Sequence, residues 1–212
     1  MSKPTSAGTQ AKPNTLHFWF EFASTYSYLS AARISKIGEA AGVGIVWEPF
    51  LLGPIFKQQG WQDSPFNLYP RKGDYMWRDM ERLCEGYSLP FQRPEKFPMN
   101  SLLATRVAVQ GLGKAWLPEF VQAIYHANFV DGRDIGDPEL VGDILSAVAQ
   151  PAEELIDRAS LDETKKRLRE QTERAESLGI FGAPSFTVGN ELFWGNDRMG
   201  DAIVWARTVA GG

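Results

Sequence analysis

Leu16-His17-Phe18-Trp19-Phe20-Glu21-Phe22-Ala23-Ser24-Thr25-Tyr26-Ser27-Tyr28-Leu29 is the stretch whose reading decides the fold. Residues 16–22 carry five bulky apolar side chains in a run free of turn residues, the pattern of a short buried strand. The run then breaks at Ser24 and Thr25, which are favoured helix caps. Beyond them Tyr28, Leu29, Ala32, Ile34, Ile37 and Ala40 recur at helical spacing, which predicts one helix over 26–41. A side chain at this break lies beside unpaired backbone N–H groups at the positive end of that helix, a place for an anion. Ser24 is equally well explained as a plain N-cap.

Outward from this stretch, Gly42-Val43-Gly44 reads as a helix stop and Ile45-Val46-Trp47-Glu48-Pro49-Phe50 as a second strand. Strand, helix and strand at this length form a βαβ unit, with a right-handed crossover and a parallel pair. Residues 53–70 mix Gly, Pro, Gln, Asn and aromatics and read as loop with room for one helical turn. Lys57 stands alone there, a cation of interest only where the loop covers an anion.

Residues 74–178 are nearly all helical, with helices predicted at 74–87, 100–110 and 115–128, a short one opened by Asp137-Pro138, and a charged one at 161–177. In the last, Lys165-Lys166-Arg167 is interleaved with acids, which is a solvated helix face. Strand chemistry returns at 182–188. Gly189-Asn190 makes a two-residue turn, Glu191-Leu192-Phe193-Trp194 pairs back, and a final helix follows with Asn196 or Asp197 as its cap.

The fold class is therefore α/β, a thioredoxin-like βαβ…ββα sheet with a large all-helical domain inserted in the middle. The expected boundaries are a flexible leader at 1–15, a thioredoxin-like domain at 16–72 plus 179–212, and an inserted helical domain at 73–178. Thioredoxin-like proteins carry a Cys-x-x-Cys pair after their first strand. Here that spacing holds Ser24 and Ser27, so disulfide exchange has no cysteine to work with.

Composition narrows the function classes. A chain of 212 residues, 43% hydrophobic and 23% charged, suits one large domain or a domain with an insertion. Its net charge of −4 gives no overall basic field for nucleic acid. Cys84 is the one cysteine, so no intrachain disulfide forms, and its place in a helical pattern reads as core or half-buried. His17 and His126 have no Cys or second His at ligand spacing, so no metal site is expected. The first fifteen residues lack an apolar signal core, and no run of about eighteen apolar residues exists for a membrane span, so a cytoplasmic location is expected.

Three spaced motifs carry a family resemblance. Phe20-Glu21-Phe22-Ala23-Ser24-Thr25-Tyr26-Ser27-Tyr28-Leu29, Pro70-Arg71-Lys72-Gly73-Asp74-Tyr75-Met76, and Gly179-Ile180-Phe181-Gly182-Ala183-Pro184 with Phe193-Trp194-Gly195-Asn196-Asp197-Arg198-Met199 resemble the 2-hydroxychromene-2-carboxylate isomerase family, akin to kappa-class glutathione transferases. The likeness runs from about residue 16 to 209. It implies glutathione as cofactor and a small aromatic carboxylate from aromatic hydrocarbon catabolism as substrate. It also implies that Ser24 faces the glutathione sulfur beside Thr25 and Tyr26, that Pro184 is cis, and that the Ala183 backbone pairs with the cysteinyl part.

On the same grounds Asn196 and Asp197 hold the γ-glutamyl end, and Lys57 lies close to the substrate carboxylate; Tyr69, with Trp61 and Phe66 in the 61–69 loop, either stacks on the substrate or fills core. The resemblance further implies a homodimer. One departure is Thr25, where the family usually has proline. An alcohol is too weak an acid to be ionised by a helix end, so Ser24 is expected to donate to a glutathione thiolate, which is the nucleophile. Three functions stay open: a glutathione-dependent isomerase, a kappa-like transferase or peroxidase suggested by Pro70-Arg71-Lys72-Gly73, and a non-catalytic thioredoxin-like binding domain.

Overall fold

The computed structural model describes residues 14–209. The expected leader, through residue 13, lies outside the described residues. The chain runs β1 (Thr15–Phe20), α1 (Thr25–Ala31), α2 (Ile34–Ala41), β2 (Gly44–Pro49), α3 (Leu52–Gln58), α4 (Pro65–Leu68), α5 (Pro70–Tyr87), α6 (Leu102–Gln110), α7 (Leu117–Phe129), α8 (Pro138–Ala147), α9 (Ala152–Ala159), α10 (Asp162–Ser177), β3 (Ser185–Val188), β4 (Glu191–Trp194), a 3-10 turn (Asn196–Arg198) and α11 (Met199–Val209).

The sheet order is β2-β1-β3-β4, with β1 and β2 parallel and β3 antiparallel to both β1 and β4. β1 is central and buried on both faces, and its two-residue period assigns each ring to a side. Phe18 and Phe20 enter the larger apolar cluster with Trp47 and Phe186, whereas Trp19 enters a smaller one with Phe50, Ile55, Ala175 and Ile180. The Trp19 indole donates to Thr187 Oγ1 at 3.1 Å, which satisfies its polar atom inside the core. The larger cluster continues from the sheet into α6, α7 and α8, so the inserted helices and the strands share one apolar interior.

The helix predicted over 26–41 is two helices. Arg33 makes the break: its Nε donates to the Leu29 carbonyl at 2.9 Å, its Nη2 donates to Asn196 Oδ1 at 2.6 Å, and its guanidinium lies 3.6 Å from the centre of the Tyr87 ring. These bonds hold the chain at Arg33 with φ −122°, outside helical geometry, while the apolar spacing runs on unbroken. The predicted stop is met at Gly42, whose φ of +68° suits glycine.

The loop predicted over 53–70 is instead mostly α3 and α4, the latter capped by Ser64 and started by Pro65. α5 begins at Pro70, four residues earlier than predicted. α9 had no counterpart in the sequence reading. The final helix is preceded by the 3-10 turn, in which Asn196 and Asp197 both lie.

A buried polar cluster braces β2 against α10. Glu48 accepts from Gln171 Nε2 at 2.7 Å and from Arg174 Nη1 at 3.1 Å, and its Oε1 lies 2.7 Å from His17 Nδ1. Burial works to raise the Glu48 carboxyl, but these three partners outweigh it and hold the group below the usual carboxylate range.

Candidate active site

Ser24 ties the two halves of the sheet domain together. It sits at φ −79°, ψ 117° as the N-cap of α1, where its Oγ accepts from the Ser27 N–H at 3.3 Å. The same hydroxyl donates to the Ala183 carbonyl at 3.0 Å, across 159 residues of chain. Ala183-Pro184 is a cis peptide, and the Pro184 carbonyl accepts from the Gly195 N–H at 2.9 Å. At Gly182 an added Cβ would run into the Trp194 indole, so a larger residue there would displace that ring from the loop. The serine turn, the 182–184 loop and the 195–197 turn thus form one wall.

This wall opens on a cleft of about 1340 Å³, lined by Ser24, Thr25, Tyr26, Lys57, Ala183, Pro184, Asn196 and Asp197 among others. Ordinary small-molecule sites run to about 1,000 Å³, so the space suffices for two ligands side by side. Tyr69 is not in this lining. It is 48% exposed, with Lys72 Nζ 4.8 Å from its ring centre, and Lys72 takes its place in the cleft wall.

Several candidates have their side chains partly committed. The Thr25 hydroxyl turns inward and donates to Met76 Sδ at 3.2 Å. The Tyr26 phenol donates to Asp79 Oδ2 at 3.0 Å, and burial followed by that carboxylate pushes its pKa far upward, so it stays protonated. Asn196 is buried with Oδ1 held by Ser30 and Arg33, whereas Asp197 is exposed and pairs with Arg198 Nη2 at 3.1 Å. α1 spans only seven residues, and the field of its N-terminus acts within the first turn, next to Ser24. The Ser24 hydroxyl remains as the polar group there.

Sequence reasoning missed three features. Glu21 lines the cleft while only 6% exposed, with Oε2 accepting from the Ala23 N–H at 2.9 Å and Oε1 accepting from the Ser101 hydroxyl. Burial pushes its carboxyl up to about 7, against the lowering effect of these two bonds. An acid between Phe20 and Phe22 was the available signal, since a carboxyl inside an apolar run needs a partner or a proton. Ser101, which supplies the hydroxyl, carried no such signal. Phe181 and Trp194, 44% and 53% exposed with ring centres 4.8 Å apart, form an aromatic rim. Cys84, by contrast, is buried with its thiol pushed up to about 11, an inert core residue.

Comparison with known proteins agrees with this geometry. The DSBA-like thioredoxin domain family matches residues 15–202. The 2-hydroxychromene-2-carboxylate isomerase of Pseudomonas sp. (strain C18) is 30% identical over 188 residues, covering 86% of this chain and 85% of the relative. Glutathione S-transferase kappa 1 of Homo sapiens is 27% identical over 205 residues, covering 88% of each. Among solved structures, a 2-hydroxychromene-2-carboxylate isomerase superposes with a TM-score of 0.81 at 24% identity, over 88% of this chain and 91% of that one. With the family matched across nearly the whole described length and the serine turn facing a cis-proline loop, the chain belongs to the DSBA-like thioredoxin domain family, among the 2-hydroxychromene-2-carboxylate isomerases and their kappa-class transferase kin.

Proposed function

We propose that the cleft binds glutathione beside a small conjugated aromatic carboxylate and isomerises the latter, as a 2-hydroxychromene-2-carboxylate isomerase does. The observation that carries this reading is the meeting of Ser24, the Ala183-Pro184 loop, the Asn196-Asp197 turn and Lys57 in one cleft with room for two ligands. Bound glutathione supplies a thiolate that adds to the conjugated side chain, permits rotation about the former double bond and is expelled.

Each residue then has a stated task. Ser24 donates its hydroxyl proton to the sulfur, and in doing so leaves the Ala183 carbonyl, which becomes free to accept from a ligand amide. Lys57, exposed in the last turn of α3, offers a cation to the substrate carboxylate. Asp197 accepts from the ligand ammonium, and Asn196, held at its oxygen, offers its amide N–H. Thr25 and Tyr26 contribute through the backbone of the serine turn. The reading carries with it a cytoplasmic homodimer, in keeping with the resemblance.

Spectrophotometric conversion of a chromene carboxylate, with and without glutathione, tests it. Conversion is expected to need glutathione and to fall roughly 10- to 100-fold in Ser24→Ala, the value of one charge-assisted hydrogen bond. Conversion that ignores glutathione would overturn the reading. A kappa-like transferase is the second reading, favoured by the position of Lys72 in the cleft lining and by the human relative. It is distinguished by glutathione being consumed.

A further inference from the structure

We propose that Glu21 is the base that takes the thiol proton when glutathione binds in this cleft, an inference that rests on the glutathione reading above. Glu21 follows β1 directly, and its backbone carbonyl accepts the Ser24 N–H at 3.0 Å, so the acid and the serine are fixed to the same loop. Its side chain lines the cleft yet is nearly closed off from bulk water. The groups facing it are neutral: the Ala23 N–H in its own turn, Ser101 ahead of α6, and Tyr125 of α7, whose hydroxyl donates to the Glu21 carbonyl at 2.8 Å. Burial keeps that phenol protonated. Among the described residues no Lys, Arg or His forms an ion pair with Glu21.

A carboxylate so placed is a negative charge without a counter-ion, and it is relieved by gaining a proton. The thiol is the available source. The S–H bond breaks, its electron pair stays on sulfur, and the proton bonds to a Glu21 carboxylate oxygen. The negative charge moves from the closed floor of the cleft to a sulfur that can accept the Ser24 hydroxyl. Ser101 serves both states, because a hydroxyl that donates to the carboxylate can turn and accept from the carboxylic acid. With its carboxyl near 7 and a free thiol near 8.5, Glu21 exchanges this proton at neutral pH, which an ordinary exposed glutamate does poorly.

Titration calorimetry in buffers of differing ionisation enthalpy counts the protons released on binding, and the ultraviolet absorbance of the complex reports thiolate. Glutathione binding to the wild type is expected to release few protons at about pH 8, where Glu21 is ionised and receives them, and to release more toward about pH 6. Glu21→Gln is expected either to lose at least about tenfold of the thiolate at about pH 8 or to pass a full proton to the buffer there. S-methylglutathione, which has no thiol proton, is expected to bind both proteins equally and release none. Ser101→Ala, which keeps the base but removes a bond favouring its ionised form, is expected to move the pH at which proton release changes upward. Equal thiolate and equal proton release in wild type and Glu21→Gln overturns the proposal alone, as does an unmoved profile in Ser101→Ala. A wild type that binds neither tripeptide overturns the glutathione reading and this proposal with it.

Discussion

Two carboxylates sit in or beside this sheet under nearly equal burial, Glu48 at 3% exposure in β2 and Glu21 at 6% just beyond β1. Glu48 is met by the Arg174 guanidinium, the His17 ring and the Gln171 amide, and its carboxyl is held below the usual range. Glu21 is met by a hydroxyl and a backbone N–H, and its carboxyl rises to about 7. Burial alone decides neither case. The charge of the partners does, and it separates an acid that braces the fold from one that can exchange a proton at the cleft.

The largest effect that could break this comparison is on folding stability. Glu48→Ala removes the shared partner of His17, Gln171 and Arg174, and is expected to cost about 3 kcal/mol in urea denaturation. A cost under about 1 kcal/mol would mean that the cluster is not a brace.

Next comes Glu21→Gln. The folded protein holds the Glu21 proton more tightly than the unfolded chain does, so stability falls as pH rises from about 4.5 to about 7. At about pH 8 the variant is expected to exceed the wild type by roughly 2 to 3 kcal/mol, and at about pH 4 to match it. Glu48 has the opposite sign. Its contribution is present above the unfolded carboxylate pKa and is lost as pH falls through its lower folded value, so Glu48→Gln is expected to weaken the acid dependence of stability.

Gln171→Leu tests one strand of the Glu48 network and is expected to cost about 1.5 kcal/mol, the value of a bond to a charged group. The smallest stability effect belongs to Lys57→Ala, which is exposed and should change stability by less than about 0.5 kcal/mol. Its readout is instead kinetic: a roughly tenfold rise in KM for the carboxylate substrate, as removal of one charge-assisted hydrogen bond would give.

The strands and the topology were legible because β1 and β3 obey simple patterns: bulky residues without breakers, a proline entry, and a Gly189-Asn190 turn. The break at Arg33 was not legible, because it depends on Asn196 and Tyr87, which are remote in sequence and met only after folding. α3 and α4 were hidden by Gly53, Pro54 and Pro65, which read as loop punctuation although Pro65 starts a helix. Ser24, Lys57 and the 183–184 and 196–197 pairs, named from the sequence, line one cleft. Tyr69 lies between Phe66 and Lys72, both of which line the cleft, but its own ring is half exposed and outside that lining. Glu21 lay in plain view within the deciding stretch, but its meaning depends on Ser101, eighty residues away.

The measurement that tests the central claim most directly is complete conversion of a chromene carboxylate with glutathione supplied well below the substrate concentration, followed by assay of the remaining thiol. The account predicts full conversion with the glutathione concentration unchanged. Conversion that stops when the glutathione is used up, or that proceeds equally without it, would contradict a cleft in which glutathione serves as a returning cofactor.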